Sequence, residues 1–423
     1  MRCGTSELHI WYIHHYGGGP RVGSYHRPYE LARAWQRQGH SATVFIAGFH
    51  HLLERDTSPE PEFEVDGIRY VSVPARPYAR NGVSRLLNMW DFSKNLYAVG
   101  RRYGRDLPAP DAVIASSPHP FTVFPAHGLA KRHGAKFVYE IRDIWPLSIT
   151  EIQGTSPLHP FVMLCALAER FAVTKANLVA SVLPWVGRYL ADRGYCDTPF
   201  VWVPNGTGAA GSPPEASLVS EEARAAAAKL AEWRSQGRVC IIYTGAIGKP
   251  NALDQLLQGL AYGKSRREED RFGVLIVGKG EQLDALRSFA HDNGLSDTHF
   301  SGPVPKSDAL ALLTQADIGY AGLRNIEALF GYGISPNKIV DYFNAALPVF
   351  LPIQPCGDPV SESGGGIARR SETPEDIWNG LSELGRMSPE QRFAMGMKGQ
   401  EYIAREYDYD RIARRYVEAI AAA

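Results

Sequence analysis

Between residues 331 and 349 the chain reads Gly331-Tyr332-Gly333-Ile334-Ser335-Pro336-Asn337-Lys338-Ile339-Val340-Asp341-Tyr342-Phe343-Asn344-Ala345-Ala346-Leu347-Pro348-Val349. A glycine-rich loop leads to Ser335, then to a proline suited to the first helical turn, then to a short helix that stops before a buried strand. Amides at such a helix start can hold a phosphate group. Lys338 and Asp341 stand three residues apart and so share one helix face, where a cation can meet a diphosphate and a carboxylate can meet ribose hydroxyls. Ser335, Pro336, Asn337, Lys338 and Asp341 are therefore candidate binding residues. An ion pair on an ordinary surface helix is the plainer reading of the same spacing.

Outward from this segment, short apolar runs alternate with helical patterns. Strands are expected at Val239–Tyr243, Gly273–Val277, Thr298–Ser301, Ile318–Ala321 and Pro348–Leu351, with helices at Leu253–Tyr262, Glu281–Asp292, Ser307–Gln315 and Lys338–Ala345. Two of these strands run into glycine loops, Tyr243-Thr244-Gly245-Ala246-Ile247-Gly248-Lys249-Pro250 and Val277-Gly278-Lys279-Gly280. Gly245, Gly278 and Lys249 suit a diphosphate held by amides and one ammonium. The spacing is not that of a Walker motif.

The first half shows the same rhythm, with strands expected at Leu8–Ile13, Ala42–Ile46, Arg69–Val73, Ala112–Ala115, Lys136–Ile141, Leu178–Val182 and Phe200–Val203. Between the halves lies the turn-rich spacer from Gly206 to Pro214, so the chain reads as two successive doubly wound α/β domains. Such sheets bind ligands beyond the carboxyl ends of their strands, and two facing each other enclose a cleft. In the first domain the loop Gly17-Gly18-Gly19-Pro20 follows strand one and allows a close backbone approach to a ligand. It is not GxGxxG, and no acidic residue ends strand two, which disfavours a nicotinamide-dependent enzyme. Ser116-Ser117-Pro118-His119-Pro120 and Tyr139-Glu140-Ile141-Arg142-Asp143-Ile144-Trp145-Pro146 also fall at strand ends, so topology brings His119, Arg142 and Asp143 together.

Length and charge bound the rest. At about 100–200 residues per domain, 423 residues make two or three domains. Lysine plus arginine and aspartate plus glutamate both number 45, so no overall basic field points to nucleic acid. The five cysteines are far apart and unpaired in spacing, which predicts a reducing cytosol rather than a disulfide framework. The residues from Met1 to Tyr16 read neither as a signal peptide nor as a span. The tail from Thr373 to Ala423 reads as helices only. There, Asp408-Tyr409-Asp410 is expected to cap a helix, although it spells a metal-binding DxD. His14-His15 and His50-His51 lack ligand spacing, and no metal or cofactor is expected. One local anomaly is the stretch Arg76–Arg105, with seven basic residues against Asp91 and with Leu86, Leu87, Trp90 and Tyr97 interleaved. It suits an anionic membrane surface, or else a solvated helix packed on a domain core.

Taken in order, Gly17–Gly19, Glu140–Pro146, Val203-Pro204-Asn205-Gly206, Tyr243–Gly248, Val277–Gly280 and Ser335–Val349 resemble the family-4 retaining glycosyltransferases of the GT-B fold, in the branch that builds bacterial surface polysaccharide. The resemblance implies two Rossmann-like doubly wound domains facing a central cleft, with a helical C-terminal tail. Residues 1–206 would bind the acceptor, 207–219 link, 220–400 bind a nucleotide sugar, and 401–423 cross back to the N-terminal domain. It implies transfer of a sugar, with retention, from a UDP-linked donor to a saccharide or polyprenyl-diphosphate-linked acceptor for O-antigen, capsule or exopolysaccharide, in the cytoplasm or at the inner face of the membrane.

Under it, Gly17, Gly18, Gly19, Gly245, Lys249, Gly278, Ser335, Pro336, Asn337, Lys338 and Asp341 bind the donor, and Asp143 acts at the reacting sugar with Arg142 and His119 in support. The family's paired glutamates are reduced here, with Asp341 at the second position and Gly333 eight residues before it. A non-hydrolysing nucleotide-sugar 2-epimerase and a catalytically silent saccharide-binding or partner chain share the fold and stay open as alternatives.

Overall fold

A computed structural model describes residues 7–54, 60–79, 82–103, 108–208, 218–266 and 271–423. Positions 209–217 of the expected spacer, Arg80 and Arg105 of the basic stretch, and Cys3 lie outside the described residues. The chain divides into two compact units: the first runs to Gly208 and takes in Ala328–Ser335 and Asp408–Ala423, while the second runs to Glu327 and resumes over Pro336–Tyr407.

The first unit is built on an eight-stranded sheet of β1 (His9–Ile13), β2 (Ser41–Ala47), β3 (Glu62–Val65), β4 (Ile68–Val73), β5 (Ala112–Ser116), β6 (Lys136–Ile141), β7 (Leu178–Ser181) and β8 (Phe200–Trp202). Their order is β3-β4-β2-β1-β5-β6-β7-β8, parallel except for the β3–β4 hairpin. Strands β1 and β5 are buried along their whole length, which is why they read as unbroken apolar runs rather than alternating ones. Strand β3 escapes the sequence reading because it is an edge strand carrying Glu62 and Glu64, and charged edges suppress the apolar signal. Its turn, Asp66-Gly67, has positive φ at both residues, the geometry of a two-residue hairpin.

Three helices pack on one face of this sheet: Val83–Tyr103, Val123–His133 and Pro160–Lys175. Phe92 and Leu96 of the first, Val123, Ala126 and Leu129 of the second, and Ala168, Ala172 and Val173 of the third share one core with the strands. The opposite face is covered by Arg27–Arg37 and by the last helix, Tyr409–Ala422. Ile412, Tyr416, Val417 and Ile420 are buried there, each worth roughly 1.5–3 kcal/mol on the transfer scale. Trp35 Nε1 donates to the Ala413 carbonyl at 3.2 Å. The returning segment thus begins at Asp408 rather than at residue 401. Asp408 caps the helix, accepting from the Arg411 amide at 3.0 Å, and Asp410 pairs with Arg37 at 2.6 Å.

The second unit holds six parallel strands: β9 (Val239–Thr244), β10 (Phe272–Val277), β11 (Thr298–Gly302), β12 (Ile318–Tyr320), β13 (Val349–Leu351) and β14 (Gly366–Ala368), ordered β11-β10-β9-β12-β13-β14. Strand β14, Gly366-Ile367-Ala368, has one branched apolar residue and follows Gly364 and Gly365, so it shows no apolar run. It lies so close to β13 that a Cβ on Gly366 would stand 2.0 Å from the Val349 carbonyl oxygen. The helices Pro374–Arg386 and Pro389–Glu406 follow, each opened by a reciprocal capping box, Thr373 with Asp376 and Ser388 with Gln391.

Candidate functional site

In the second unit the strand order turns back at β9, with β10 and β11 on one side and β12 to β14 on the other. At such a switch point the loops leave in opposite directions and open a crevice beyond the strand ends. A cavity of about 720 Å³ lies there, within the usual range for small-molecule sites. Its floor is backbone. Gly245 and Gly278 have φ of +140° and +146°, and a Cβ on Gly278 would stand 1.9 Å from the Gly245 carbonyl oxygen. The Gly245 amide donates to the Val277 carbonyl at 3.0 Å and the Gly278 amide to the Gly302 carbonyl at 2.9 Å, so the strand ends are laced together below the cavity. Only glycine tolerates both the dihedral and the contact at 278.

The helix Asn337–Asn344 begins at this cavity, and among the described residues no side chain caps it. Its first amides, with the positive end of the helix dipole, face a space where an anion is favoured. Lys338 Nζ donates to Asn251 Oδ1 at 2.5 Å and to the Tyr243 hydroxyl at 3.2 Å, and lies 4.4 Å from the centre of the Tyr243 ring. Burial pushes its ammonium down to about 7, which makes it ready to gain a proton when an anion arrives. Asp341, one turn on, lines the same cavity and accepts from Lys306. Burial raises the Asp341 carboxyl above its ordinary range, and Lys306 opposes that rise. Lys279 also lines the cavity.

Gly245, Gly278, Pro336, Asn337, Lys338 and Asp341 therefore meet at one cavity, while Lys249, Ser335 and Gly17–Gly19 are not among its lining residues. Lys249 is exposed on a short 3₁₀ turn, where its carbonyl accepts from Arg324 Nε at 3.3 Å. Ser335 belongs to the first unit. The sequence pattern singles out neither Lys306 nor Asn251, and it includes Tyr243 and Lys279 only as members of their glycine loops. The signal for Lys306 was the Gly302-Pro303-Val304-Pro305 loop after β11, a third strand, loop and helix in the pattern of Gly245 and Gly278.

At the carboxyl end of the first sheet the glycine loop serves its own chain. A Cβ on Gly17 would meet Ile46 Cγ2 at 2.6 Å, one on Gly18 the Gly23 carbonyl at 2.5 Å, and one on Gly19 the Tyr70 hydroxyl at 2.9 Å. Glu140 is fully buried. It accepts from Tyr12 at 2.7 Å, Ser116 at 2.8 Å and Arg27 at 3.1 Å. Burial alone would raise its carboxyl, but Arg27, Arg142 and the two hydroxyls outweigh this and hold it below the usual range. Arg27 also donates to the carbonyls of Val203 and Pro204, so it ties the Glu140 segment to the Val203–Gly206 segment. Removing either charge would leave the other buried alone, at a cost of about 3–5 kcal/mol.

The Arg142 guanidinium lies 4.8 Å over the Tyr25 ring, whose other contact is His14, stacked at 4.8 Å. Asp143 follows it and is exposed. His119 is buried. Its Nε2 is 2.9 Å from His15 Nδ1, and His15 Nε2 is 2.8 Å from Asn88 Oδ1. Asn88 Nδ2 donates to the carbonyls of Phe49 and Arg76, which orients the amide; His15 must then donate through Nε2 and accept from His119 through Nδ1. Burial pushes His119 down to about 3, so it stands neutral and directs the loop rather than trading protons near pH 7.

Residues 23–206 match the family described as glycosyl transferase 4-like domain. Solved structures match along the whole chain. Sucrose-phosphate synthase from Thermosynechococcus elongatus is 14% identical with a TM-score of 0.69, covering 99% of this chain and 100% of that one. WaaG, a glycosyltransferase involved in lipopolysaccharide biosynthesis, is 16% identical with a TM-score of 0.63, covering 98% and 100%. HepE from Anabaena, solved with UDP and glucose, is 13% identical with a TM-score of 0.61, covering 99% and 100%. Among curated protein sequences none matches.

Proposed function

We propose that this chain, whose residues 23–206 match a glycosyl transferase 4-like domain and whose fold is that of GT-B glycosyltransferases, moves a sugar from a UDP-linked donor, with retention, to a saccharide or polyprenyl-diphosphate-linked saccharide in surface-polysaccharide synthesis. The observation that carries this reading is the cavity of the second unit, floored by glycine backbone and bordered by Lys338, Lys306 and Lys279, with Asp341 on the same helix face as Lys338. The UDP held by the Anabaena neighbour supports a uridine donor.

Negative charge grows on the diphosphate as the sugar leaves. Lys338, the helix start at Asn337 and the loop lysines are preorganised to meet it, the largest catalytic effect of this kind of site. Three lysines supply that charge compensation without a metal. Asp341, released from Lys306, would take the ribose hydroxyls. Retention follows if the acceptor attacks from the face the diphosphate leaves and a departing phosphate oxygen takes its proton, so no enzyme nucleophile is needed. Asp143 would orient the reacting hydroxyls, with Arg142 and the neutral His119 holding the loop that presents it.

Incubation with a panel of nucleotide sugars tests the reading. Slow nucleotide release from one of them is the expected result. Sugar isomerisation without release would instead make the chain an epimerase, and the absence of any donor binding by calorimetry would make it a silent relative. If Lys338→Ala and Asp341→Ala both left UDP affinity unchanged, the donor site would be misassigned.

A further inference from the structure

The chain leaves the second unit after Glu327, spends Ala328–Ser335 within the first, and re-enters the second at Pro336, the residue before the helix that opens on the donor cavity. The departure is pinned in the second unit by the ion pair of Glu327 with Arg370 at 2.6 Å. The middle of the segment is pinned in the first unit by Tyr332. Its ring meets the Tyr189 ring edge-on at 5.1 Å, its hydroxyl donates to Asp192 Oδ2 at 3.2 Å, and its carbonyl accepts from the Trp185 amide at 3.1 Å. Tyr189 is a firm partner: it is buried, its hydroxyl donates to Glu169 at 2.6 Å, and the Arg193 guanidinium lies 5.0 Å over its ring.

Gly333 completes the docking. Its φ is +102°, and a Cβ there would stand 2.5 Å from Pro184 Cδ, so both the dihedral and the proline ring exclude a side chain. Position 333, eight residues before Asp341, is thus given over to contact with Pro184 and offers a donor no side chain. Only Gly333, Ile334 and Ser335 separate Tyr332 from Pro336. At roughly 3.5 Å per residue the anchored tyrosine and the helix start lie within about 14 Å of each other along the chain. Gly333 and Ile334 are buried and proline fixes its own φ, which leaves this tether little slack. Among the described residues no side chain caps the helix, so the segment that delivers the chain is what aims its first amides.

We propose that Tyr332 is a positioning residue for the donor: docked on the stretch from Pro184 to Asp192, it holds the segment that leads into the Asn337–Asn344 helix, and donor affinity in the second unit depends on this anchor in the first. The inference rests on the reading of the cavity as the donor site. No residue of Ala328–Ser335 lines that cavity, so the effect on UDP passes through the chain and not through contact. Such coupling is reciprocal, and a filled cavity that fixes the helix start should also tighten the anchor.

Calorimetry with UDP on the whole chain tests it. Tyr332→Ala should weaken UDP about tenfold. Tyr332→Phe keeps the ring contact and loses only the bond to Asp192, so it should restore most of the affinity and stay about threefold weaker than wild type. Asp192→Ala should match Tyr332→Phe, and the two together should add nothing further, because both break one bond. Hydrogen exchange of the wild type supplies a reading that needs no variant, since amides of Ala328–Ser335 should exchange more slowly with UDP bound. A Tyr332→Ala protein with a lowered melting temperature and unchanged UDP affinity would make the tyrosine a packing residue of the first unit alone and overturn the proposal. Exchange in the segment that UDP leaves unaltered would overturn it as well. If the wild type binds no UDP, the donor reading fails and this inference with it. If Lys338→Ala weakens UDP while the Tyr332 and Asp192 variants bind like wild type, the donor site stands and only the anchor falls.

Discussion

Both units place glycines where a strand gives way to a loop, yet the two sheet ends are used differently. In the first unit the space beside Gly17, Gly18 and Gly19 is filled by Ile46, Gly23 and Tyr70, and the charged group beneath, Glu140, is sealed by Arg27, Tyr12 and Ser116. In the second, Gly245 and Gly278 press against each other and leave the volume above them open, edged by lysines. A glycine at a strand end signals a close approach of backbone, not what approaches. Where another part of the chain makes the approach, the loop is a rigid rim; where none does, the loop borders an open cavity.

That contrast can be broken most forcefully at the floor. Gly278→Val combines a left-handed φ with a clash against the Gly245 carbonyl, and UDP affinity should fall more than about a hundredfold by calorimetry. Gly18→Ala, at the matching loop, should lower the melting temperature through its clash with Gly23 and leave UDP affinity as it was. Equal loss of donor binding in both would mean that the two loops share one role. Next in size, Asp143→Ala should lower the transfer rate roughly a hundredfold with UDP affinity unchanged, because orienting a hydroxyl acts on the reaction and not on the donor. An altered UDP affinity there would erase the division between the sheet ends.

Lys338→Ala should weaken UDP about ten- to a hundredfold, the range of a charge-assisted contact, and Lys249→Ala less than about twofold. The pH dependence sharpens this. Below about 7 the Lys338 ammonium is already charged in the empty site and affinity is flat; above it, binding must take up a proton, and affinity falls by up to about tenfold per pH unit until the pH reaches the higher value in the complex. Lys338→Ala should flatten that slope. A chelator should have the smallest effect, leaving the transfer rate unchanged; a rate lost to chelation and restored by a divalent cation would overturn the lysine-based account.

Much of this was legible in the linear chain. The apolar runs located twelve strands because central parallel strands are buried on both faces, and the three-residue spacing of Lys338 and Asp341 placed them on one helix face before any fold was known. Strands β3 and β14 were not legible, one masked by edge charges and the other holding a single branched apolar residue after Gly364, Gly365 and Gly366. The cation paired with Asp341 was not legible for a different reason. Lys249 is near the glycine loop in sequence, whereas Lys306 enters from the loop after β11, two strands away from β9 in the sheet.

Local pattern alone therefore determined the alternation of strand and helix, the glycine turns, the caps at Asp408, Thr373 and Ser388, and the shared face of the Asn337–Asn344 helix, since each depends on neighbours within about one turn of chain. Tertiary structure decided which glycine loop stays open, which lysine meets Asp341, and that Glu140 and His119 are sealed inside. Those outcomes depend on which distant segments the sheet order brings together. Packing takes place in three dimensions, and sequence distance does not measure it.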